Sequence, residues 1–352
     1  MNETIPDTMQ ALVWEAPRQM NLRTLPVPVP APDEVLVKVA YVGICGSELS
    51  GFLGHNALRV PPLVMGHEFS GVVAAAGQNA QDYNSLLSQG QAVTANPMVY
   101  CGQCSYCLAG ENHLCIHRKL IGAHRPGAFA RYLAVPAWMV QPLPEGLPLR
   151  TGALSEPLAC AVRVSRWAGD VNGQIALIAG AGAIGLFSLQ TLLLNGAAQV
   201  FISDTDTDRR NAAQALGGTA LDPGTVDVVK TVREATRNHG VVVAVDAVGK
   251  AITRQQCISS VRSGGTVVLS GLHEETSSMP VAEVIRREIT LQGCFCYTPH
   301  DFQASVELLA AGKVGLGEWV VEAPLSEGGI WFERLSAEKP EGVAKVLLTP
   351  VE

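Results

Sequence analysis

Cys101, Cys104, Cys107 and Cys115 stand as Cys-x-x-Cys-x-x-Cys-x7-Cys, with Gly102 and Gly110 close by to let the backbone curl around a small centre. Four thiolates in one compact lobe suit a closed, tetrahedral structural zinc site. An iron–sulfur cluster is the rival, since its ligands also crowd as Cys-x-x-Cys-x-x-Cys, but the usual short fourth spacing followed by Pro is missing. His113 and His117 share the loop; with four thiolates at hand they are expected to face solvent or support the ligands. A second set is dispersed: Cys45 in Gly43-Ile44-Cys45-Gly46-Ser47, His67 and Glu68 after Gly66, and Glu156 before Pro157. Thiolate, imidazole and carboxylate together can hold a catalytic zinc and leave one position open for water or substrate. Each piece alone is weak, because a lone Cys is usually inert packing and Glu-Pro commonly just opens a helix.

A third constellation is a turn. Ile175 to Ala179 reads as a strand that runs into Gly180-Ala181-Gly182-Ala183-Ile184-Gly185 and then into the apolar run Leu186 to Leu194. Strand, Gly-x-Gly-x-x-Gly and helix in that order is the dinucleotide fingerprint: the glycines admit the pyrophosphate and the helix N-terminus stabilises it. Asp204, nineteen residues past Gly185 at the end of the next apolar strand, is placed to bind the adenosine ribose and to repel an added phosphate. NAD is therefore expected rather than NADP. Arg209 is expected to stack on the adenine or to pair with Asp204, Asp206 and Asp208.

The elements that must position these groups follow from periodicity. From about Ala11 to Ala153 the chain is rich in Val, Gly and Pro with short alternating runs such as Val35, Val37 and Val39, a mostly β region. From Gln174 to Phe295 short apolar strands (Ile175 to Ala179, Gln199 to Asp204, Val241 to Asp246, Gly265 to Ser270, Ile289 to Phe295) alternate with helical patterns, which argues for a parallel sheet covered by helices. A helix is expected from Asp301 to Gly312 and a last strand from Lys345 to Leu348, with Pro26 to Pro32 as a rigid connector.

Composition excludes several classes. The 352 residues carry a formal charge of -7, without the clustered Lys and Arg that phosphate neutralisation needs, so no nucleic-acid partner is expected. The first nine residues, with Glu3 and Asp7, have no signal-peptide pattern. The charge-free stretch Val171 to Ser203 is broken by Gly180, Gly182 and Gly185, so a buried strand, turn and helix explain it better than a membrane span. Nine cysteines without an export signal point to metal or catalysis in a cytoplasmic protein rather than to disulfides.

Taken in this order along the chain, the three constellations resemble the zinc-containing medium-chain alcohol and polyol dehydrogenases, and the Cys, Gly-His-Glu and Glu-Pro-Leu pattern looks like the polyol branch. The resemblance implies an α/β protein. A GroES-like, mostly β catalytic domain (1–157 and 297–352, with a structural zinc lobe at about 96–118) would join a doubly wound Rossmann domain (158–296). It makes Cys45, His67 and Glu68 catalytic zinc ligands, Glu156 a fourth or exchanging ligand, and Ser47 the start of a proton relay. It implies two zinc ions, NAD, a small-molecule alcohol substrate and a homodimer or homotetramer. Two departures stand out: Ser50 occupies a position where many relatives have His, leaving His55 or a water chain to continue the relay, and Cys296 replaces a substrate-contacting Arg of sorbitol dehydrogenases. Phe52, His55, Phe295 and Tyr297 are expected to line the cleft. The competing classes are a nucleotide-binding protein without catalysis and a zinc-free quinone or enone reductase, both disfavoured by the Cys45, His67, Glu68 set.

Overall fold

A computed structural model of the chain describes residues 4–337 and 343–350. Glu3 and parts of the expected C-terminal catalytic segment (338–342 and 351–352) lie outside the described residues.

The first sheet is built around β1 (Glu34–Gly43), whose Val35, Val37 and Val39 are fully buried. Its antiparallel neighbour β2 (Glu68–Ala76) begins at Glu68, directly after His67, so the edge of a rigid strand fixes both candidate ligands. Between them α1 (Gly46–Phe52) starts at Cys45. The C-terminal segment returns to this sheet: β10 (Lys345–Thr349) pairs antiparallel with β1 and parallel with β9 (Val320–Pro324). The core beneath is aromatic, with Phe332 from the C-terminal part packed 5.3 Å from Phe52 and edge-on at 5.7 Å to Phe129. Phe52 is only 1% exposed, so it is a core residue and not part of a cleft lining.

The second sheet is parallel throughout. Its strands are β3 (Ile175–Ala179), β4 (Gln199–Ser203), β5 (Thr219–Leu221), β6 (Val241–Asp246), β7 (Val261–Leu269) and β8 (Thr290–Gly293), in the order β5-β4-β3-β6-β7-β8. Strand order reverses between β3 and β6, the switch point at which doubly wound sheets bind ligands beyond their C-terminal edge. The fingerprint turn sits there, and α3 (Ala183–Leu194) follows with Leu186, Phe187, Leu189 and Leu192 all fully buried. That explains the charge-free stretch: a helix apolar on every side is covered by protein. Among the described residues, no helix is long and apolar enough to cross a membrane. Strand β7 begins four residues before the expected Gly265, because Val261 already pairs with Val241 ahead of an irregularity in the ladder.

Helix α2 (Ser155–Ala168) carries Glu156 in its first turn and packs against α3 and α4 (Pro299–Ala310). The cysteine lobe docks on the same helix. Glu111 meets Arg163 at 3.0 Å, Arg163 lies 3.8 Å from the fully buried Asp301, and Arg166 holds Asp301 at 2.6 Å. His113, expected to face solvent or support the ligands, is 4% exposed and lies 3.5 Å from Glu111, so it belongs to this docking surface; His117 is exposed.

Candidate active site

Cys45 occupies the N-cap of α1, and Glu48, three residues on, returns its carboxylate to the Cys45 N–H at 3.0 Å. The other Glu48 oxygen accepts from Gly66 N at 2.9 Å and from His67 Nδ1 at 2.7 Å. One buried carboxylate thus ties the Cys45 turn to the His67 turn and leaves Nε2 as the ring atom free to ligate, the usual second partner of a metal-binding histidine. Burial opposes charge at both groups, but their mutual attraction prevails: Glu48 is held below the usual carboxylate range and His67 well above the usual imidazole range. Gly66 makes the approach possible, since its φ is 101° and a Cβ there would lie 2.7 Å from Phe129 N.

The ligand atoms of Cys45, His67 and Glu68 all lie within 4.8 Å of one another. Thiolate, imidazole and carboxylate are a donor set that fits zinc with an open position. Both Glu68 oxygens also accept from Lys345 Nζ, at 2.8 and 2.6 Å, a buried pair supplied by β10. Glu156 is outside this trio; its Oε1 accepts from the Tyr297 hydroxyl at 2.8 Å. Burial and the nearby Glu68 push the Glu156 carboxyl up to about 7 against the opposing charge of His67. Ser47 Oγ lies 3.5 Å from Cys45 Sγ and accepts from Arg59 Nη2 at 3.2 Å, while Arg59 Nη1 donates to the Ser47 carbonyl.

The four-cysteine lobe forms a second donor set. Sulfur pairs stand 3.5 to 3.9 Å apart, close to the ~3.8 Å that four ~2.3 Å zinc–sulfur bonds in a tetrahedron impose. Cys101 N and His117 N both donate to Cys115 Sγ, which suits a thiolate, and the Cys107 N–H holds Cys104 down to about 6. Gly102 and Gly110 take positive φ of 74° and 80°, the curl that the spacing requires.

At the fingerprint turn a Cβ on Gly185 would lie 1.8 Å from the Gly180 carbonyl, whereas one on Gly182 would meet no protein atom within 4 Å. The first glycine of that contrast lets helix and strand close up; the second leaves room for an approaching pyrophosphate at the start of α3, where Ala183 and Ile184 stand. Asp204 accepts from Ala181 N at 2.7 Å and from Asp206 N at 2.9 Å, so it braces the turn that it is expected to serve. The acids nearby are met by Arg210, which pairs with Asp222 at 2.9 Å and donates to the Asp204 carbonyl; Arg209 makes no such pair among the described residues, and its Nε is buried without a partner.

Glu48, Arg59 and Lys345 were not among the residues that motif spacing singles out. Glu48 has a local signal, the capping-box interval after Cys45. Arg59 and Lys345 have none, since Lys345 reaches Glu68 across 277 residues of chain.

Comparison with known proteins agrees with this geometry. The description "Alcohol dehydrogenase GroES-like domain" matches residues 31–145 and "Zinc-binding dehydrogenase" matches residues 183–311. The L-galactonate-5-dehydrogenase of Escherichia coli K12 is 32% identical over 87% of this chain and 89% of its own. The D-arabitol-phosphate dehydrogenase of Enterococcus avium is 33% identical over 93% of this chain and 94% of its own. A zinc-binding dehydrogenase from Sinorhizobium meliloti 1021 bound to NADP superposes with a TM-score of 0.90 at 32% identity, over 98% of this chain and all of that one. Fold and site define a zinc-dependent oxidoreductase that acts on alcohols with a nicotinamide cofactor. The chain belongs to the zinc-containing medium-chain polyol dehydrogenase family.

Proposed function

We propose that this chain oxidises a secondary hydroxyl of a sugar-derived polyol and delivers the hydride to NAD. The observation that carries the proposal is the convergence of Cys45, His67 and Glu68 within 4.8 Å, with His67 oriented by Glu48. Cys45 and His67 would hold the catalytic zinc, with Glu68 and Glu156 as the carboxylates that complete or exchange at its shell. When bound there, zinc acts as a Lewis acid that lowers the pKa of a substrate hydroxyl. Ser47 Oγ, held by Arg59, would take the proton of the substrate hydroxyl, and the exposed His55 with water would carry it outward past Ser50. Alignment of the hydroxyl carbon against the nicotinamide supplies much of the rate, and closure of a catalytic domain (1–157, 297–352) on a Rossmann domain (158–296) would exclude water.

NAD is preferred to NADP because the Asp204 carboxylate, together with Asp206 and Asp208, makes the ribose end of the turn negative. The NADP bound by the Sinorhizobium meliloti relative makes this choice the first to measure. The second zinc is assigned to Cys101, Cys104, Cys107 and Cys115. A dimer or tetramer is supported by β8, an open edge of the six-stranded sheet, and a reducing, cytoplasmic setting by nine free cysteines.

The test is reduced-cofactor formation from polyols, sugar phosphates and sugar acids with NAD and NADP in parallel. The expected result is turnover with NAD of at least one polyol, abolished by Cys45→Ala or His67→Ala while NAD binding survives. Normal turnover in either variant contradicts the site assignment, and faster turnover with NADP contradicts the role given to Asp204.

A further inference from the structure

The inner end of the site is poor in free positive charge. Glu48, Glu68 and Glu156 are buried there, and the buried basic side chains beside them are all engaged, Lys345 by Glu68, His67 by Glu48 and Arg59 by Ser47. An anionic group on a substrate finds no unengaged basic side chain at that end. The segment Phe295-Cys296-Tyr297 leads outward from it. Tyr297 is buried with its hydroxyl on Glu156, Cys296 is half-buried, and Phe295 is 38% exposed. Over the Phe295 ring lies the guanidinium of Arg118, 5.2 Å from the centroid.

Arg118 is exposed, and its Nη1 donates to the Cys115 carbonyl at 3.2 Å. Among the described residues no carboxylate lies within 4.0 Å of it, and Nε and Nη2 have no protein partner. Stacking on Phe295 and the bond to the cysteine lobe hold the planar fork in place, while two N–H edges remain available. That is the geometry that recognises a carboxylate or phosphate through paired hydrogen bonds. Lys119 beside it is exposed as well, so two cations lie close together on a chain whose formal charge is -7. On so acidic a chain a local cation is needed to retain an anionic ligand.

We propose that Arg118 binds an anionic terminus of the substrate, so that the natural substrate is a polyol carrying a phosphate or carboxylate at the end remote from the oxidised hydroxyl. This inference rests on the dehydrogenase function proposed above. It makes Arg118 a specificity residue with no part in hydride transfer.

The experiment compares kcat and KM for a neutral polyol, its terminal phosphate and the corresponding sugar acid, in the zinc-replete wild-type enzyme and in Arg118→Gln and Arg118→Lys. Metal content of each variant is measured to verify that the lobe is intact. The wild type is expected to prefer one anionic member, and which one it prefers identifies phosphate or carboxylate. Arg118→Gln is expected to lower kcat/KM for that member by about 10- to 100-fold, mainly through KM. Turnover of the neutral polyol should stay within about twofold, and Arg118→Lys should recover part of the loss, since a point charge replaces the fork. A wild type that prefers the neutral polyol, or an Arg118→Gln loss equal on charged and neutral members, overturns the proposal alone. Absence of turnover with every member, charged or neutral, overturns the dehydrogenase function and this inference with it.

Discussion

Glu48 accepts three hydrogen bonds while fully buried, two from the candidate ligands Cys45 and His67 and one from Gly66 beside His67. Glu48→Gln keeps the shape but loses the charge and one acceptor, and metal affinity at the Cys45 site is expected to fall about 10- to 100-fold. Competition dialysis reads this directly, and unchanged retention would remove Glu48 from the account. Glu156 gives a pH signature in metal-free protein. Its folded pKa of about 7 stands above the ordinary 4.5, so its contribution favours folding below pH 4.5 and is lost as pH rises through 7. The loss amounts to about 3 kcal/mol over that window. Urea unfolding of metal-free protein at several pH values should show the decline, and Glu156→Gln should flatten it. At this scale the donors were legible because thiol, imidazole and carboxyl types sit in short recognisable words such as Cys-Gly-Ser and Gly-His-Glu. The partners that tune them were not, because Lys345 and Arg59 arrive from elsewhere in the fold and carry no local pattern.

The helix-opening turn of the second sheet depends on an element-level fit. Gly185 lies at the start of α3 where a Cβ would stand 1.8 Å from the Gly180 carbonyl, so the helix cannot keep its place against β3 with any side chain there. Gly185→Ala is expected to raise the Kd for NADH by at least about tenfold, while zinc in the cysteine lobe is retained, since displacing the helix N-terminus withdraws its N–H groups from the pyrophosphate. Fluorescence titration with NADH checks it; unaltered affinity contradicts the assignment of this turn. The strands here were readable from apolar runs bounded by Gly and Asp, and Ile175–Ala179 and Val241–Asp246 match residue for residue. The early start of β7 was not readable, because Val261 joins the sheet through a partner on β6 and the intervening Arg262, Ser263 and Gly264 look like a turn. The burial of His113 escaped for the same kind of reason: Arg163 and Asp301, which cover the lobe, lie far along the chain.

Across the whole molecule, the C-terminal segment returns to the first sheet, so Lys345 completes a site begun 277 residues earlier at Glu68 and Phe332 packs on Phe52 in its core. Composition and alternation were enough to foresee a β region followed by a parallel α/β region, and the family resemblance supplied the closing strand its place. The assembled protein is expected to hold two chemically different metal sites, one closed by four thiolates and one open at Cys45 and His67. The most direct measurement is zinc per chain together with NADH formation during graded chelation. Two zinc ions are expected, of which one leaves first and takes turnover with it, while the lobe zinc persists and re-addition of zinc restores activity. Full turnover after the first zinc has been removed would contradict this expectation.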